Sequence, residues 1–291
     1  MKQFFRNSII ILLPVIILIM NIQKLKAQDS DAIGQNETFG TSRVSLSQSI
    51  EPAVKGQLMF DIQHQFGPLN SGIQEFFGLD QATTRLGLNY GVFDWLSVGL
   101  GRSGLYKTYD GSLKARLITQ KKSGGSAVTV TYFGNMGIYT TTWNYTNVPY
   151  YFSHRLSYIN QILVARRFGD HLSVQLSPTF IHRNFVESNQ ADNDVWDLGI
   201  AARYLFAENY SITFDYHYAL SKYTADNYNN SLTIGFNILT AGHVFSLFAS
   251  NSLGLIEQQF IPSTKGSWLD GDIHFGFTIS RAFSIVEPDY F

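Results

Sequence analysis

The stretch Tyr210–Ser221, with the sequence YSITFDYHYALS, decides the fold, because large apolar residues alternate with polar or small ones along its whole length. Successive side chains of a β-strand point to opposite faces, so this segment has one apolar face and one polar face. The apolar face carries Tyr, Ile, Phe and Leu, and the polar face carries Ser, Thr, Asp and His. The pattern predicts a strand that separates apolar surroundings from polar ones.

The same alternation recurs along the chain and predicts twelve strands. The sixth is the least regular, because Ile159, Ile162, Leu163 and Val164 put apolar side chains on both faces, and either a β-bulge or a wrong strand assignment would explain this. No stretch after residue 27 shows a convincing helical period. The predicted strands are 55–66, 81–91, 95–103, 112–120, 126–138, 154–167, 171–184, 195–206, 209–221, 229–239, 243–252 and 271–283.

The composition excludes several classes of protein. Of the 291 residues, 45% are hydrophobic and only 15% are charged, whereas soluble domains carry about 25% charged residues. The chain has no Cys, which excludes a disulfide scaffold and metal sites built from thiolates. The net charge of −1 lacks the basic surplus of a nucleic-acid-binding protein. We therefore expect no nucleic-acid partner.

The first 27 residues have the features of a secretory signal peptide. Lys2 and Arg6 precede the apolar run Ile9–Met20, which is too short to span about 30 Å of hydrocarbon comfortably. We expect cleavage after Ala27, and a retained signal anchor is the alternative. Residues 1–27 hold four of the 21 basic residues and no acidic ones, so the mature chain has 17 basic and 22 acidic residues, a net charge of −5. The sequence predicts an exported protein.

The connections between the predicted strands alternate in length. The short ones are 91–94, 121–125, 168–170, 207–208 and 241–242, and the longer ones are 67–80, 104–111, 139–153, 185–194, 222–228 and 254–270. Outer-membrane barrels show this asymmetry, with short periplasmic turns and long outward loops. An even number of strands places both chain ends on the side of the short connections.

Together these features predict an all-β protein, a transmembrane antiparallel up-and-down β-barrel of about 12 strands in the outer membrane. We expect the signal peptide at 1–27, a polar N-terminal extension at 28–54 and the barrel at 55–291. The extension either runs beneath the barrel or enters it. The lipid bilayer is the expected partner of the apolar strand faces. Either Phe283 or Phe291 is the aromatic residue that closes the last strand.

One region also resembles a known family. The segments that carry the resemblance are Phe76–Gly87 (FFGLDQATTRLG), Tyr90-Gly91, Asp94–Arg102 (DWLSVGLGR), Lys107–Gly111 (KTYDG) and Lys114. They are similar to a family of uncharacterised bacterial outer-membrane β-barrel proteins, known only as a domain of unknown function. The resemblance is strongest over residues 39–120 and continues more weakly to Phe283. It implies an outer-membrane barrel, and it implies no activity and no catalytic residues.

Charged residues on the polar strand faces are the candidate functional residues, because they would line the barrel interior. The interior could be an open pore or could be plugged by internal salt bridges. Five basic residues against three acidic ones would favour anions in an open pore. We expect Arg85, Lys114 and Arg116 to form one basic side near the outer mouth. The nine lumen-lining candidates are Asp61, Arg85, Lys114, Arg116, Arg183, Asp197, Arg203, Asp215 and His217.

Three further groups raise the question of catalysis or metal binding. His171 and Ser173 have the His-x-Ser spacing seen in barrel phospholipases, although a turn that begins a strand is the simpler interpretation. The segment 192–194 (DND) could offer oxygen ligands to calcium, yet it lacks the Gly and the distal Glu of an EF-hand. Asp215 and His217 could be a ligand pair, and a hydrogen bond on the wall is the simpler role. We expect no catalytic residues, no metal site and no cofactor.

Three classes of function stay open. A channel or transport-type pore for small polar solutes is favoured, because the inward strand faces are polar. The alternative is a structural or assembly barrel that partners a surface or secretion complex, since the Tyr- and Asn-rich loops 140–151 and 226–230 suit contacts with other envelope proteins. An outer-membrane lipid-modifying enzyme is a more distant alternative.

Overall fold

Twelve antiparallel strands close into one barrel, in which each strand pairs with its neighbours in sequence and the last pairs with the first. The computed structural model describes residues 33, 37–186, 188, 190–240 and 242–286, so the predicted signal peptide and Phe291 lie outside the described residues. A two-stranded hairpin, β1 (Arg43–Val44) and β2 (Ser47–Gln48), precedes the barrel. The barrel strands are β3 (Gln57–Pro68), β4 (Ala82–Phe93), β5 (Leu96–Ser103), β6 (Thr108–Ile118), β7 (Thr129–Tyr139), β8 (Leu156–Phe168), β9 (Leu172–Arg183), β10 (Asp194–Ala207), β11 (Tyr210–Ala219), β12 (Leu232–Leu239), β13 (His243–Ser250) and β14 (His274–Ser284).

The prediction of a twelve-stranded antiparallel barrel is confirmed. Two short α-helices lie in the connections, α1 (Lys222–Asn227) and α2 (Glu257–Ser263). Short 3-10 helices lie at Leu69–Ser71, Ile73–Gly78, Leu105–Lys107 and Phe152–Arg155. Among the described residues, no helix combines the length and the apolar character that a membrane span requires.

The outward faces of the strands are apolar and carry aromatic residues near both ends of the barrel. Phe206, Tyr210 and Phe236 form one cluster, with ring centroids 6.1 to 6.3 Å apart. Phe66 and Phe277 lie 6.4 Å apart at the opposite end. Amphipathic and aromatic rings at these levels suit the two headgroup zones of a bilayer, with the apolar band between them.

The predicted lengths of the two connections that flank β6 are wrong. Strand β6 begins at Thr108, four residues earlier than expected, because Thr108 and Asp110 are buried while Tyr109 is exposed, which continues the alternation. The β5–β6 connection therefore contains only residues 104–107, and the β6–β7 connection contains residues 119–128. We call the inner end the one that carries the connections 94–95, 119–128, 169–171, 208–209 and 240–242, and the outer end the opposite one.

Strand β8 has no β-bulge, so a bulge does not explain the irregular pattern of the sixth predicted strand. It pairs in one continuous register with β7 and in one register with β9. Ile159 and Leu163 point inward and are 1% and 0% exposed, whereas Ile162 points outward and is 40% exposed. The strand is apolar on both faces because its inner face also meets apolar side chains inside the barrel.

The barrel interior is filled by two segments of the chain itself. Residues 37–56, which we call the plug segment, run through the lumen and contain the β1–β2 hairpin. Residues 251–264, which we call the inward loop, fold into the lumen from the outer end and contain α2, whose residues 257–262 are all buried. The described part of the N-terminal extension, from residue 37 onward, thus lies inside the barrel.

The remaining outer loops hold one another above the mouth. The side-chain amide of Asn70 donates a 2.6 Å hydrogen bond to the Asp272 carboxylate, and the backbone N–H of Ser267 donates to the same carboxylate at 3.0 Å. The bond from Ser267 and then the one from Asn70 hold the pKa of Asp272 below its ordinary value.

Candidate functional site: an occluded lumen

The nine lumen-lining candidates all lie on the inward faces of their strands. Eight of them are at most 9% exposed, and Arg183, near the outer end of β9, is only half-buried. Their partners come from the wall, from the plug segment and from the inward loop. Each partner explains how a charged side chain can be buried here, because a buried charge without a partner is costly.

At the inner end, Glu51 of the plug segment is bound from two directions. Its carboxylate pairs with the Arg116 guanidinium of β6 and accepts backbone N–H bonds from Thr38 and Phe39 at 3.2 and 3.3 Å. Beside it, the Lys114 ammonium donates to the backbone carbonyls of Ser42 and Glu51 at 2.8 and 3.2 Å. Two basic residues of the wall therefore bind the part of the plug segment that lies near the inner end of the barrel.

On the opposite wall, Leu46 and Ser47 contact side chains of β11. The Ser47 hydroxyl lies 2.8 Å from Nε2 of His217, and Nδ1 of His217 lies 2.7 Å from the Asp197 carboxylate. The backbone N–H of Leu46 donates to the Asp215 carboxylate at 3.2 Å. Asp215 and His217 therefore do not form a ligand pair, since each has its own partner.

Ser47, His217 and Asp197 are hydrogen-bonded in the order of a Ser-His-Asp hydrolytic triad. Whether they could act as one depends on the space for a substrate next to Ser47. Acyl transfer needs a substrate carbonyl next to the nucleophile. Ser47 is 3% exposed, and the Phe260 ring of the inward loop packs edge-on to His217 at 5.2 Å. The space that a substrate would need is filled by the chain, so in this conformation the three residues fix the plug segment to the wall.

Deep in the lumen, the plug segment and the inward loop also bind each other. The Arg43 guanidinium lies 3.4 Å from the Glu257 carboxylate, and the backbone N–H of Gln48 donates to the same carboxylate at 3.2 Å. The Gln258 side chain of the inward loop donates to the Asn135 side chain on β7 at 2.5 Å. The two segments form one internal body with contacts to the wall.

Arg85 belongs to a network of wall side chains on β3, β4, β6 and β7, which Asn135 connects to the inward loop. Its guanidinium makes two bonds to the Asp110 carboxylate, at 2.7 and 3.2 Å, and one to the Gln63 side chain at 3.2 Å. Asn135 donates to the same Asp110 carboxylate at 3.2 Å. Asp61 lies nearby and accepts bonds from Asn89 and Ser280 at 2.9 and 2.5 Å.

The contacts of the plug segment differ between the two sides of the lumen. Toward β7–β10 they include an apolar cluster, in which Phe39, Leu46 and Ile50 join Phe260 and inward residues such as Leu163, beside hydrogen bonds from wall side chains to plug carbonyls. Toward β4–β6 they are polar and surround a cavity of about 10 Å³, whose lining includes Arg43, Arg85 and Lys114. A cavity of this size holds about one water molecule. The space for a water molecule therefore lies on the polar side of the plug segment, toward β4–β6.

The prediction of one basic side near the outer mouth is wrong. Arg85 lies toward the outer end of β4, where it is paired in register with Ser103. Lys114 is paired with Ser97 at the start of β5, and the backbone N–H of Arg116 donates to Trp95 in an inner connection. Lys114 and Arg116 therefore lie near the inner end, because β6 begins earlier than expected.

The expected surplus of basic over acidic residues in the lumen also disappears when the charged residues of the plug segment, of the inward loop and of β6 are included. Sequence reasoning missed Asp110, which it placed in a loop, and it missed Arg43, Glu51 and Glu257, which lie in segments without strand periodicity. Among the described residues, six basic and six acidic side chains belong to the lumen: Arg43, Arg85, Lys114, Arg116, Arg183 and Arg203, with Glu51, Asp61, Asp110, Asp197, Asp215 and Glu257. The interior is electrically balanced.

The other candidate groups do not assemble. His171 is exposed in an inner connection and contacts the Leu205 carbonyl at 2.7 Å, whereas Ser173 is buried and donates to the Thr38 carbonyl at 2.6 Å. In the segment 192–194, Asp192 accepts bonds from Thr224, while Asp194 contacts His182 at 2.5 Å. In the described part of the chain, no three His, Asp or Glu side chains are grouped as metal ligands.

Comparisons with solved structures return porins and an outer-membrane channel. Among solved structures, the chain is similar to the NanC porin, with 8% sequence identity, a TM-score of 0.49 and coverage of 78% of this chain and 98% of that one. It is similar to the KdgM porin at 11% identity, with a TM-score of 0.47 and coverage of 78% and 99%. An outer membrane channel from Pseudomonas putida F1 gives 12% identity, a TM-score of 0.47 and coverage of 79% and 96%. A search of curated protein sequences finds no significant match.

A family model decides the membership of the chain. The model described as "Membrane bound beta barrel domain (DUF5777)" matches residues 39–283, which includes most of the plug segment and nearly all of the barrel. The resemblance carried by the FFGLDQATTRLG region is thus confirmed. The apolar outer face and the closed barrel place the protein in the outer membrane, in contact with its lipids. The chain belongs to the DUF5777 family of membrane-bound β-barrel domains.

Proposed function

We propose that this barrel is a gated channel for small polar solutes and that the structure represents its closed state. The single observation that supports this most is the polar boundary between the plug segment and β4–β6, around the cavity lined by Arg43, Arg85 and Lys114. Water can replace these contacts at a small net cost, because a hydrogen bond within a protein contributes only about 1 kcal/mol over one to water. An apolar boundary could not be hydrated in this way.

In this proposal the plug segment releases its polar contacts with β4–β6 and with β11, keeps its apolar attachment to β7–β10 and leaves a hydrated path along β4–β6. The wall keeps its charged residues in the open state, so the path is polar. Since acidic and basic side chains are balanced, we expect weak ionic selectivity rather than the preference for anions that the strand pattern indicates. The channel needs no catalytic residue and no cofactor.

A recording from the purified full-length protein in planar bilayers tests the proposal. We expect discrete openings that become more frequent in Ser47→Ala, which removes the bond to His217, and not in the control Ser250→Ala, which alters a wall hydroxyl bonded to Thr233. Conductance that is absent from the wild type and from Ser47→Ala would contradict the channel. It would support the alternative, a structural barrel in an envelope complex.

One observation favours that alternative. Phe76 and Phe77 in the β3–β4 loop have φ values of 44° and 55°, a region that bulky residues rarely adopt, and their side chains are 58% and 49% exposed. Strain of this kind is found where a segment is held for contact with another molecule. We propose that an envelope protein, if one binds this barrel, binds at this loop.

A further inference from the structure

The polar cavity between the plug segment and β4–β6 has a lining with an excess of positive charge. Among the described residues that line it, Arg43, Arg85 and Lys114 are cationic, whereas Glu51 is the one carboxylate. The cavity volume of about 10 Å³ is enough for one water molecule or one small ion. The charges of the lining and their partners decide which of the two is the better occupant.

Two of the three cations have carboxylate partners of their own, and the third has none. The Arg43 guanidinium lies 3.4 Å from the Glu257 carboxylate, and the Arg85 guanidinium lies 2.7 Å from the Asp110 carboxylate. The Lys114 ammonium forms no ion pair with any carboxylate in the described part of the chain. Lys114 is nevertheless only 5% exposed. A buried ammonium without a counter-charge is costly, because it has lost most of its hydration.

The surroundings of Lys114 compensate its charge only in part. The Glu51 carboxylate pairs with the Arg116 guanidinium, so Lys114 reaches the backbone carbonyls of Ser42 and Glu51 instead. An ammonium has three N–H groups, and these two bonds leave the third without a hydrogen-bond partner among the described residues. The Phe133 ring centroid lies 5.8 Å from the Lys114 nitrogen, close to the limit of about 6 Å for a cation–π contact, so the ring adds little.

The neutral residues around Lys114 add further donors to the cavity. Ser97 on β5 is paired in register with Lys114, and Ser112 precedes Lys114 by two residues on the same inward face of β6. Both hydroxyls belong to the lining, and neither makes a hydrogen bond to another described residue. A hydroxyl can turn its O–H toward an anion. The lining therefore offers one free ammonium N–H and two free hydroxyls on neighbouring strands.

We propose that this cavity binds one monovalent anion of the size of chloride, held by the Lys114 ammonium and by the hydroxyls of Ser97 and Ser112. The occupant is an anion because Lys114 lacks a counter-charge and water brings none. It is small because the cavity has no room for a phosphate or a carboxylic acid. The site belongs to the structure described here, so it exists whether or not the barrel conducts.

Anomalous diffraction from bromide locates the ion directly. Bromide has the charge of chloride and nearly its size, and it scatters X-rays anomalously, whereas water does not. In crystals of the full-length protein grown in sodium bromide, we expect an anomalous peak inside the cavity at hydrogen-bond distance from the Lys114 nitrogen. Density in the cavity without an anomalous peak would assign the space to water and would overturn the proposal.

Thermal unfolding in detergent tests the site in solution. The protein is prepared in sodium gluconate, whose anion is too large for the cavity, and chloride replaces gluconate at constant ionic strength. We expect the melting temperature to rise by several degrees and then to level off, because a ligand that binds only the folded state stabilises it. Equal melting temperatures in the two salts would also overturn the proposal.

Variants distinguish this site from a general effect of the salt. Lys114→Met should abolish the chloride-dependent shift. The matched control is Arg203→Met, because the Arg203 guanidinium also donates to a plug carbonyl, that of Thr38 at 3.3 Å, yet lies outside the cavity lining. This control should keep the shift, and a shift that persists in Lys114→Met or is lost in both variants would overturn the proposal.

A milder pair of variants serves if Lys114→Met does not fold. Ser97→Ala and Ser112→Ala each remove one hydroxyl donor and leave the ammonium in place. We expect each to need several-fold more chloride for half of the shift in melting temperature. If both variants respond to chloride at the wild-type concentration, the anion does not bind at these hydroxyls and the proposed site is wrong.

Discussion

The Ser47 hydroxyl lies 2.8 Å from Nε2 of His217, and this contact joins the plug segment to the barrel wall at a point where both residues are buried. The other ring nitrogen of His217 is held by Asp197. The position of the plug segment is thus coupled to a wall residue that cannot rotate freely. The closed state depends on such contacts inside the lumen, because the apolar outer face of the barrel does not touch the plug segment.

We predict that Ser47→Ala lowers the free energy of unfolding by about 1 kcal/mol, as expected for one buried hydrogen bond. His217→Ala should cost more, about 3 kcal/mol, because it leaves the buried Asp197 carboxylate without its partner. Urea unfolding of the single and double variants in detergent measures the coupling of the two residues. Strictly additive losses would show that Ser47 and His217 do not interact.

A second prediction concerns Glu51. Glu51→Gln should lower the free energy of unfolding by about 3 kcal/mol, because the Arg116 guanidinium then faces an amide inside the lumen. The matched control is Glu37→Gln in the same segment, whose partner Arg167 lies at the inner rim, 2.9 Å away. That exposed pair should contribute less than about 1 kcal/mol. Equal losses in the two variants would show that burial of the Glu51 pair has no consequence.

A third prediction concerns ionic selectivity in the open state. Arg85→Ser should shift the reversal potential toward cations, because the Asp110 carboxylate loses its partner, and Asp110→Ser should shift it toward anions. The double variant should return close to the wild type, since it removes one charge of each sign. Reversal potentials in a salt gradient measure all three, and a double variant as selective as either single one would refute the pairing.

A fourth prediction uses the two faces of β8. Leu163→Ala should lower the free energy of unfolding by about 3 kcal/mol, because Leu163 is fully buried among the apolar residues of the plug segment. Ile162→Ala, one position away, removes a side chain that faces lipid and should cost clearly less. If Ile162→Ala proves the more costly change, the inward assignment of Leu163 is wrong.

The strands could be predicted from the sequence because period two is strong in residues such as Ile212, Phe214 and Tyr216, where lipid on one side and a polar interior on the other require it. Strand β8 departs from that rule for a tertiary reason. Its inner face belongs to the same buried cluster as Leu46 and Ile50, and a strand pattern contains no information about a segment from elsewhere in the chain that fills the lumen.

The lumen site was accessible to sequence reasoning only in part. The alternation of inward and outward positions along the strands predicts that Arg85 and Arg116 face the lumen, and both of them do. The partner of Arg116 is Glu51, which lies in an irregular segment, so no periodicity reveals it. The partner of Arg85 is Asp110, which the sequence KTYDG presents as a turn although it belongs to β6.

Movement of the plug segment is the central claim, and a reversible disulfide tests it most directly. Ser45 and Thr213 have hydroxyl oxygens 2.6 Å apart, between plug segment and wall, so Ser45→Cys/Thr213→Cys brings two thiols close enough to bond. The control Thr233→Cys/Ser250→Cys joins two wall residues whose oxygens are 3.0 Å apart. Single-channel recording in planar bilayers should show that the first variant is silent when oxidised and opens after reduction, while the control opens in both states. Openings of equal frequency and size in the oxidised and reduced first variant would contradict gating by the plug segment.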